Sequence, residues 1–332
     1  MKKITSLLFS LSLSISISYA QDTYAEKLGF PKGSKVLILH VDDAGMSWDS
    51  NEGARQAITN GVATSVSVMM PTPWVPGFVH FLKQNPKTDA GLHLTLTSEW
   101  SDYRWVPLSG KSVVPGLVDN EGAMWASVDD VVKHASADEV EKEIRAQLER
   151  ARLMGFEPTH LDSHMGTLFA SPEFLQRYIK VGIEQKIPVM FPAGHNTMIG
   201  KQTGLDENVL KQFQQTGKII WDSGLPVLDD LHNVSYDWEY PAAARATDLS
   251  LQKYATLHYI ETIKALKPGL TMVIMHCSKP TEVFSHITDS GHIRKGDLLA
   301  MIDPEFKKFI VQEGIILTTW REVKERRAKV KL

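Results

Sequence analysis

Four apolar, strand-like runs in this 332-residue chain each carry or end in a residue type that binds metals. VLILHVDD ends at Asp42 and Asp43, AGLHLTLT carries His93, PTHLDSH carries His160, Asp162 and His164, and LTMVIMH ends at His276. Burying a carboxylate or an imidazole beside a β-core costs free energy unless something pairs with it. Strands that repeatedly end this way imply one shared polar site at the C-terminal rim of a parallel sheet or barrel. A divalent metal is the economical way to hold such a site together.

Strand and helix signals alternate along the chain. Runs 36–41, 64–70, 92–96 and 160–162 read as strands, as do 187–191, 219–222, 270–276 and 315–318. A helix is expected over 47–60, stopped by Gly61. Another is expected over 136–154, with Ser136 and Glu139 as a capping box, Val140, Ile144 and Leu148 on one stripe, and Gly155 as its stop. Further helices are expected from Pro172, over 251–266, and from Pro304. This alternation predicts an α/β fold, a (β/α) barrel or a doubly wound sheet, in one domain over 21–332.

Two stretches, 98–131 and 222–247, do not fit the alternation. Their tryptophans, including Trp100, Trp105 and Trp125, serve either as sugar-stacking rings or as a cover for the barrel.

The N-terminus has the form of a secretory leader: Lys2 and Lys3, an apolar run over 7–18, and Ser18-Tyr19-Ala20 as a cleavage site. The expectation is an exported protein, periplasmic or secreted, with no membrane association after cleavage. A net charge of −3 gives no case for nucleic acid as a partner. The single cysteine, Cys277, rules out an internal disulfide framework and is expected to be buried at a strand end.

Asp42 and Asp43 are adjacent, so regular strand geometry would point them to opposite faces. A turn at Ala44-Gly45 could aim both at the rim. A metal bound by one would leave the other free as a base. In HLDSH, period two puts His160, Asp162 and His164 on one face, with Asp162 a candidate partner for a metal-bound histidine. His195 and Asp222 each follow a strand-like run and are lesser candidates for the same site. The basic tail over 321–331 reads as a solvated terminal helix.

These motifs resemble the YdjC/ChbG-type carbohydrate (chitooligosaccharide) deacetylases. HVDDAGMS, GLHLTLT, PTHLDSHMGT and MHCSKP are similar to that family's ADDFGxS, GxHLTLT, PTHLDSHxH and late HP. The stretch from Asn51 to Ser65 is similar to its N…AI…GVTS segment, and the resemblance runs from about Lys35 to Trp320. It implies a divergent (β/α) barrel, polysaccharide-deacetylase-like, with one divalent ion held by Asp43, His93 and His164. It also implies Asp42 as general base and His276 as acid or oxyanion partner, acting on an N-acetylated sugar or oligosaccharide. Two imidazoles and a carboxylate suit zinc best, with iron, cobalt, nickel, manganese or magnesium as other choices.

The chain departs from the family pattern in three places. Ala44 stands where the family has an aromatic residue, which could widen the pocket. Met165-Gly166 stands where it has a further histidine, and Pro280 is displaced from His276. Two other readings stay open: a metal-dependent hydrolase of a different amide, ester or phosphoester, and a secreted glycan-binding protein without chemistry.

Overall fold

The computed structural model describes residues 22–233 and 235–331. The expected leader, with its cleavage site, lies outside the described residues. Seven parallel strands form one sheet: β1 (Lys35–Ala44), β2 (Ser65–Val68), β3 (Ala90–Leu94), β4 (Leu161–Ser163), β5 (Asp230–His232), β6 (Gly269–Met275) and β7 (Ile316–Leu317). Their order is β4-β3-β2-β1-β6-β5. The short β7 pairs with the start of β1, below the point where β2 joins it. Single parallel bridges from Leu161 to Val189 and from Pro192 to Leu228 carry the curled sheet from β4 back toward β5. The expected strand over 187–191 is therefore present only as a bridging segment. The architecture is a divergent, curled (β/α) half-barrel in a single domain, the choice that the family resemblance implies between the barrel and the doubly wound sheet that the alternation leaves open.

Period two sorts the side chains between barrel interior and helical jacket. Leu37, Leu39 and Val41 of β1, Leu92 and Leu94 of β3, and Val273 and Met275 of β6 pack outward in one core. Val36 and Ile38 of β1 and Leu270, Met272 and Ile274 of β6 fill the interior with Trp320 and Val323. Continuing the interior parity upward gives His40 and Asp42 on β1, His93 on β3, Asp162 on β4 and His276 after β6. The interior is thus apolar at the bottom and polar at the C-terminal rim. His160 lies between the two, with its ring stacked on Trp320 at 5.2 Å.

Three expectations need correction. The run over 219–222 is the end of a helix, Glu207–Asp222, not a strand. Asp206 caps that helix by accepting from the N–H groups of Asn208 and Val209, and Leu210, Phe213, Gly217 and Ile220 recur at helical spacing. The last turn of the helix, Ile219-Ile220-Trp221, is β-favouring over a short window. Strand β5 instead lies inside the stretch 222–247, which does not fit the alternation of the sequence. The basic tail forms the helix Trp320–Lys329, but it is not simply solvated. Trp320, Val323 and Arg327 are buried, and Arg327 lies over the Trp221 ring at 4.2 Å.

The helix Trp48–Thr59 packs directly on the backbone that follows β6. A Cβ added at Gly53 would lie 2.3 Å from the Cys277 carbonyl oxygen. Backbone cannot yield as a flexible side chain can. Gly53→Ala is expected to destabilise the protein by about 1–3 kcal/mol and to lower its melting temperature. An unchanged melt would contradict this packing.

Candidate active site

Strand β1 ends in an irregularity that settles the orientation of its two carboxylates. Its register on β2 shifts between Val41 and Ala44, and Asp43 has a φ of 64°. This left-handed residue breaks the strict alternation, so Asp42 and Asp43 both face the same cleft. Asp is among the few non-glycine residues enriched in that conformation.

Asp43 meets His93 and His164 at the rim. Its Oδ1 lies 3.4 Å from His93 Nε2 and 3.4 Å from His164 Nδ1, and the two imidazole nitrogens are 3.2 Å apart. All three residues are buried, and Oδ1 has no hydrogen-bond partner among the described residues. The other oxygen, Oδ2, accepts from Arg294 Nη1 at 2.7 Å. Burial opposes ionisation of Asp43. The Arg294 guanidinium and the two imidazoles outweigh it and hold the carboxyl well below the usual carboxylate range.

Each histidine is oriented from behind. His93 Nδ1 is 2.7 Å from Asp162 Oδ1, which turns Nε2 toward the cleft. His164 Nε2 is 3.1 Å from Glu99 Oε1, which turns Nδ1 inward. Burial disfavours the charged rings, yet Asp42 and Asp162 hold His93 well above its ordinary value. Glu99 and Asp43 bring His164 up to about 9 against the same burial. Behind them His40, fully buried, has Nε2 3.1 Å from Asp42 Oδ1 and 2.9 Å from Asp162 Oδ2. Those two carboxylates overcome its burial and lift it to about 9.

A carboxylate oxygen and two imidazole nitrogens within 3.2 to 3.4 Å of one another form a donor set that suits a divalent ion. Ligands about 2.1 Å from a tetrahedral centre stand roughly 3.4 Å apart. The unpartnered Asp43 Oδ1 is the kind of buried atom that such an ion would satisfy. Asp42, Asp162 and His93 also lie close enough to be grouped, as do His40, His160 and Asp162. In both of these groups, however, the carboxylates are already engaged with His40.

Asp42 stands beside the triad without joining it. Its Oδ1 is held by His40 and accepts from Ser67 Oγ at 3.3 Å. Its Oδ2 lies 3.7 Å from His93 Nε2 and 3.9 Å from His276 Nε2. Burial pushes His276 down to about 4, so its ring is neutral near pH 7. Tyr236 packs edge-on against it at 4.7 Å, and its backbone N–H donates to Asp297 at 2.8 Å. These groups open on a cleft of about 680 Å³. Its far side is apolar, with Phe169, Ile199, Leu205, Phe213 and Leu231.

The structure brings Asp42, Asp43, His93, His164 and His276 together and places Asp162 directly behind them. His160 is farther back, beneath Asp162, and does not line the cleft. His195 does not reach it. Its ring contacts Pro268 and Asp230 near the N-terminal end of β6, remote from the rim. Asp222 ends its helix at the surface, paired with Lys218. Trp105 and Trp125 act as cover, not as cleft rings. Trp105 is buried against Met46, Met69, Met124 and Phe284, with its Nε1–H donating to Thr97. Trp125 stacks on His134 at 4.3 Å. Trp100 is the ring of that stretch that lines the cleft. Ala44 packs outward into the core and so does not widen the cleft, whereas Met165 and Gly166 line it. Cys277 is buried, as expected.

Arg294, Glu99, His40 and Asp297 were missed. His40 shares the parity of Asp42 in HVDD and could have been found by the same rule. Arg294 and Asp297 lie one helical turn apart in HIRKGDLL, a spacing that carries little signal by itself.

A family model described as YdjC-like protein matches residues 36–312. A carbohydrate deacetylase from Thermus thermophilus is 30% identical over 301 residues, covering 90% of this chain and 97% of that protein. A chitooligosaccharide deacetylase from Yersinia enterocolitica is 30% identical over 135 residues, covering 39% of this chain and 49% of that protein. Among solved structures, a candidate cellobiose-phosphate cleavage protein from Enterococcus faecalis superposes with a TM-score of 0.67. It covers 87% of this chain and 99% of its own at 19% identity, a likeness of fold alone. The match spans every strand from β1 to β6 and all the rim residues, and the chain belongs to the YdjC-like protein family.

Proposed function

We propose that this protein removes acetyl groups from N-acetylated sugars or oligosaccharides, using one divalent ion held by Asp43, His93 and His164. The observation that carries the reading is the division of labour at the end of β1. Asp43 offers an unpartnered oxygen to the donor triangle, and Asp42 stands beside it outside the triangle. The names of the relatives, carbohydrate and chitooligosaccharide deacetylase, supply the substrate class.

Asp43, His93 and His164 would hold a divalent ion, which would supply Lewis acidity toward the acetyl carbonyl and the attacking water. Zinc suits the donor set best, with manganese, cobalt, nickel, iron or magnesium as alternatives. Asp42 Oδ2, on the cleft side, takes the proton of the attacking water. His40 and Ser67 hold its other oxygen, so the base meets the water in one orientation. His276, kept neutral by burial, stands across from Asp42 as a hydrogen-bonding partner for the developing oxyanion. Asp42 then returns its proton to the leaving amine. Arg294 neutralises part of the negative charge that Asp42, Asp43 and Glu99 concentrate at the rim. Following the leader, the activity is proposed to be exported.

The test is acetate release from N-acetylglucosamine oligomers by the metal-loaded protein. Asp42→Asn is expected to lower the rate by about 10²–10⁴-fold while metal binding persists. A loaded protein that releases no acetate from any oligomer would overturn the substrate reading.

Two predictions concern the ion itself. Asp162→Asn leaves His93 without its orienting carboxylate and is expected to weaken metal affinity by about 10–100-fold, read by competition with a chromophoric chelator. An unchanged affinity would show that Asp162 is not the support for this ligand. In the metal-free protein, His93 and His164 are raised, so near neutral pH their cleft-facing nitrogens carry protons that must leave on loading. Apparent affinity therefore rises with pH, and loading releases protons. Calorimetry in buffers of different ionisation enthalpy counts them; an affinity that is flat between about pH 6 and 9 contradicts the raised values.

A further inference from the structure

Two tryptophans on the same rim have no role in the site described above. Trp48 is 47% exposed and Trp74 is 43% exposed, and their rings lie 5.7 Å apart, tilted by 58°. Single exposed apolar residues are ordinary, but two adjacent indoles left in water are not. Leaving nearly half of each ring in water forgoes roughly half of the 1.5–3 kcal/mol that full burial of a large apolar side chain gives.

The pair is built on rigid parts of the barrel. Trp48 opens the helix Trp48–Thr59 that follows β1, and Trp74 caps the helix Val75–Gln84 that follows β2. Both therefore sit at the C-terminal end of the strands, the end that carries the donor triangle. Trp74 N–H donates to the Gly45 carbonyl at 3.0 Å. Asn51 fastens the same two segments, accepting from Gly45 N–H at 2.7 Å and donating to the Trp74 carbonyl at 3.0 Å. Gly45 is two residues past Asp43 and bonded to Trp74 N–H, so chain dimensions keep the Trp74 ring within roughly 20 Å of the triad.

An aromatic cluster at the cleft mouth is tied to the backbone just before this pair. Trp100 lines the cleft and meets Trp105 edge-on at 5.6 Å. Tyr103 meets Trp105 at 6.0 Å, and its hydroxyl donates to the carbonyl of Met46, two residues before Trp48.

We propose that Trp48 and Trp74 form a second carbohydrate subsite that holds a glycan chain a few sugar units away from the residue being deacetylated. The inference rests on the deacetylase reading and extends it to chain length. The faces of a pyranose ring carry C–H groups that pack on an indole, while its hydroxyls stay hydrated at the edge. Two rigid rings beside a cleft supply such contact at little entropic cost. Two rings are far too small a surface for a stable protein partner, which needs about 800 Å² on each side.

The experiment measures kcat/KM on N-acetylglucosamine oligomers from the shortest substrate cleaved up to the hexamer. It compares the wild type, Trp48→Ala, Trp74→Ala and the conservative Trp48→Phe, with Leu153→Ala as a control for an exposed apolar residue elsewhere. In the wild type kcat/KM climbs with length. Each alanine variant is expected to lower the ratio of hexamer to shortest substrate by about tenfold, mainly through KM, with Phe restoring part of it. Leu153→Ala keeps the ratio of the wild type. Variants that retain the wild-type ratio, or a wild type without length dependence, overturn the subsite. Tryptophan fluorescence on titrating the hexamer into Asp42→Asn separates the two claims. If no oligomer releases acetate but binding still depends on Trp48 and Trp74, the subsite stands while the deacetylase reading fails. If neither acetate nor ring-dependent binding is seen, both fall.

Discussion

The site depends on one backbone torsion at the end of β1. In a regular strand Asp42 and Asp43 would face opposite sides, and one carboxylate would be buried in the helical jacket without a partner. The left-handed φ at Asp43 turns both toward the cleft. A non-glycine residue held this way costs about 1–2 kcal/mol. The charge-assisted bond from Arg294 to Asp43 Oδ2 opposes that cost and fixes which oxygen remains free. The two adjacent acids can then take different roles. Asp43, placed among imidazoles, is the proposed ligand, and Asp42, held by His40, is kept outside the triangle.

Behind the rim lies a buried network of alternating charge. His40 joins Asp42 to Asp162, Asp162 joins His40 to His93, and Glu99 and Arg294 close it at the mouth. Buried ion pairs are weak contributors to net stability, because desolvation offsets much of their attraction. Their value here is orientation, since each donor facing the cleft has its opposite edge occupied. The network is anchored from below by His160, whose ring stacks on Trp320 and occupies the space that Gly91 leaves by lacking a Cβ.

The barrel and its site were legible wherever one rule, period two along a strand, decided the outcome. That rule put Asp162 and His164 on one face, while Asp42, His93 and His276 stood out as ligand types carried by strand-like runs; the same parity along HVDD would have placed His40 beside Asp42. It failed where the third dimension decided. Arg294 reaches Asp43 across 251 positions of sequence, and Glu99 meets His164 across 65. No local pattern carries such contacts. Asp222 reads as a strand end because three β-favouring residues, Ile219, Ile220 and Trp221, outweigh a helical stripe that begins at Leu210. The tryptophans of the stretch 98–131 pointed toward the cleft only in part. Trp105 and Trp125 satisfy their N–H groups on nearby carbonyls and seal the barrel, and Trp100 alone of the three lines the cleft.

The most direct test of this account is anomalous diffraction from crystals of the metal-loaded protein, collected across the absorption edge of the ion. One ion bonded to Asp43 Oδ1, His93 Nε2 and His164 Nδ1, with Asp42 beside it and unbonded, is the predicted result. An ion bonded instead by Asp42 and Asp162, or none at the rim under conditions that give full activity, would contradict the assignment of ligand and base from which the rest follows.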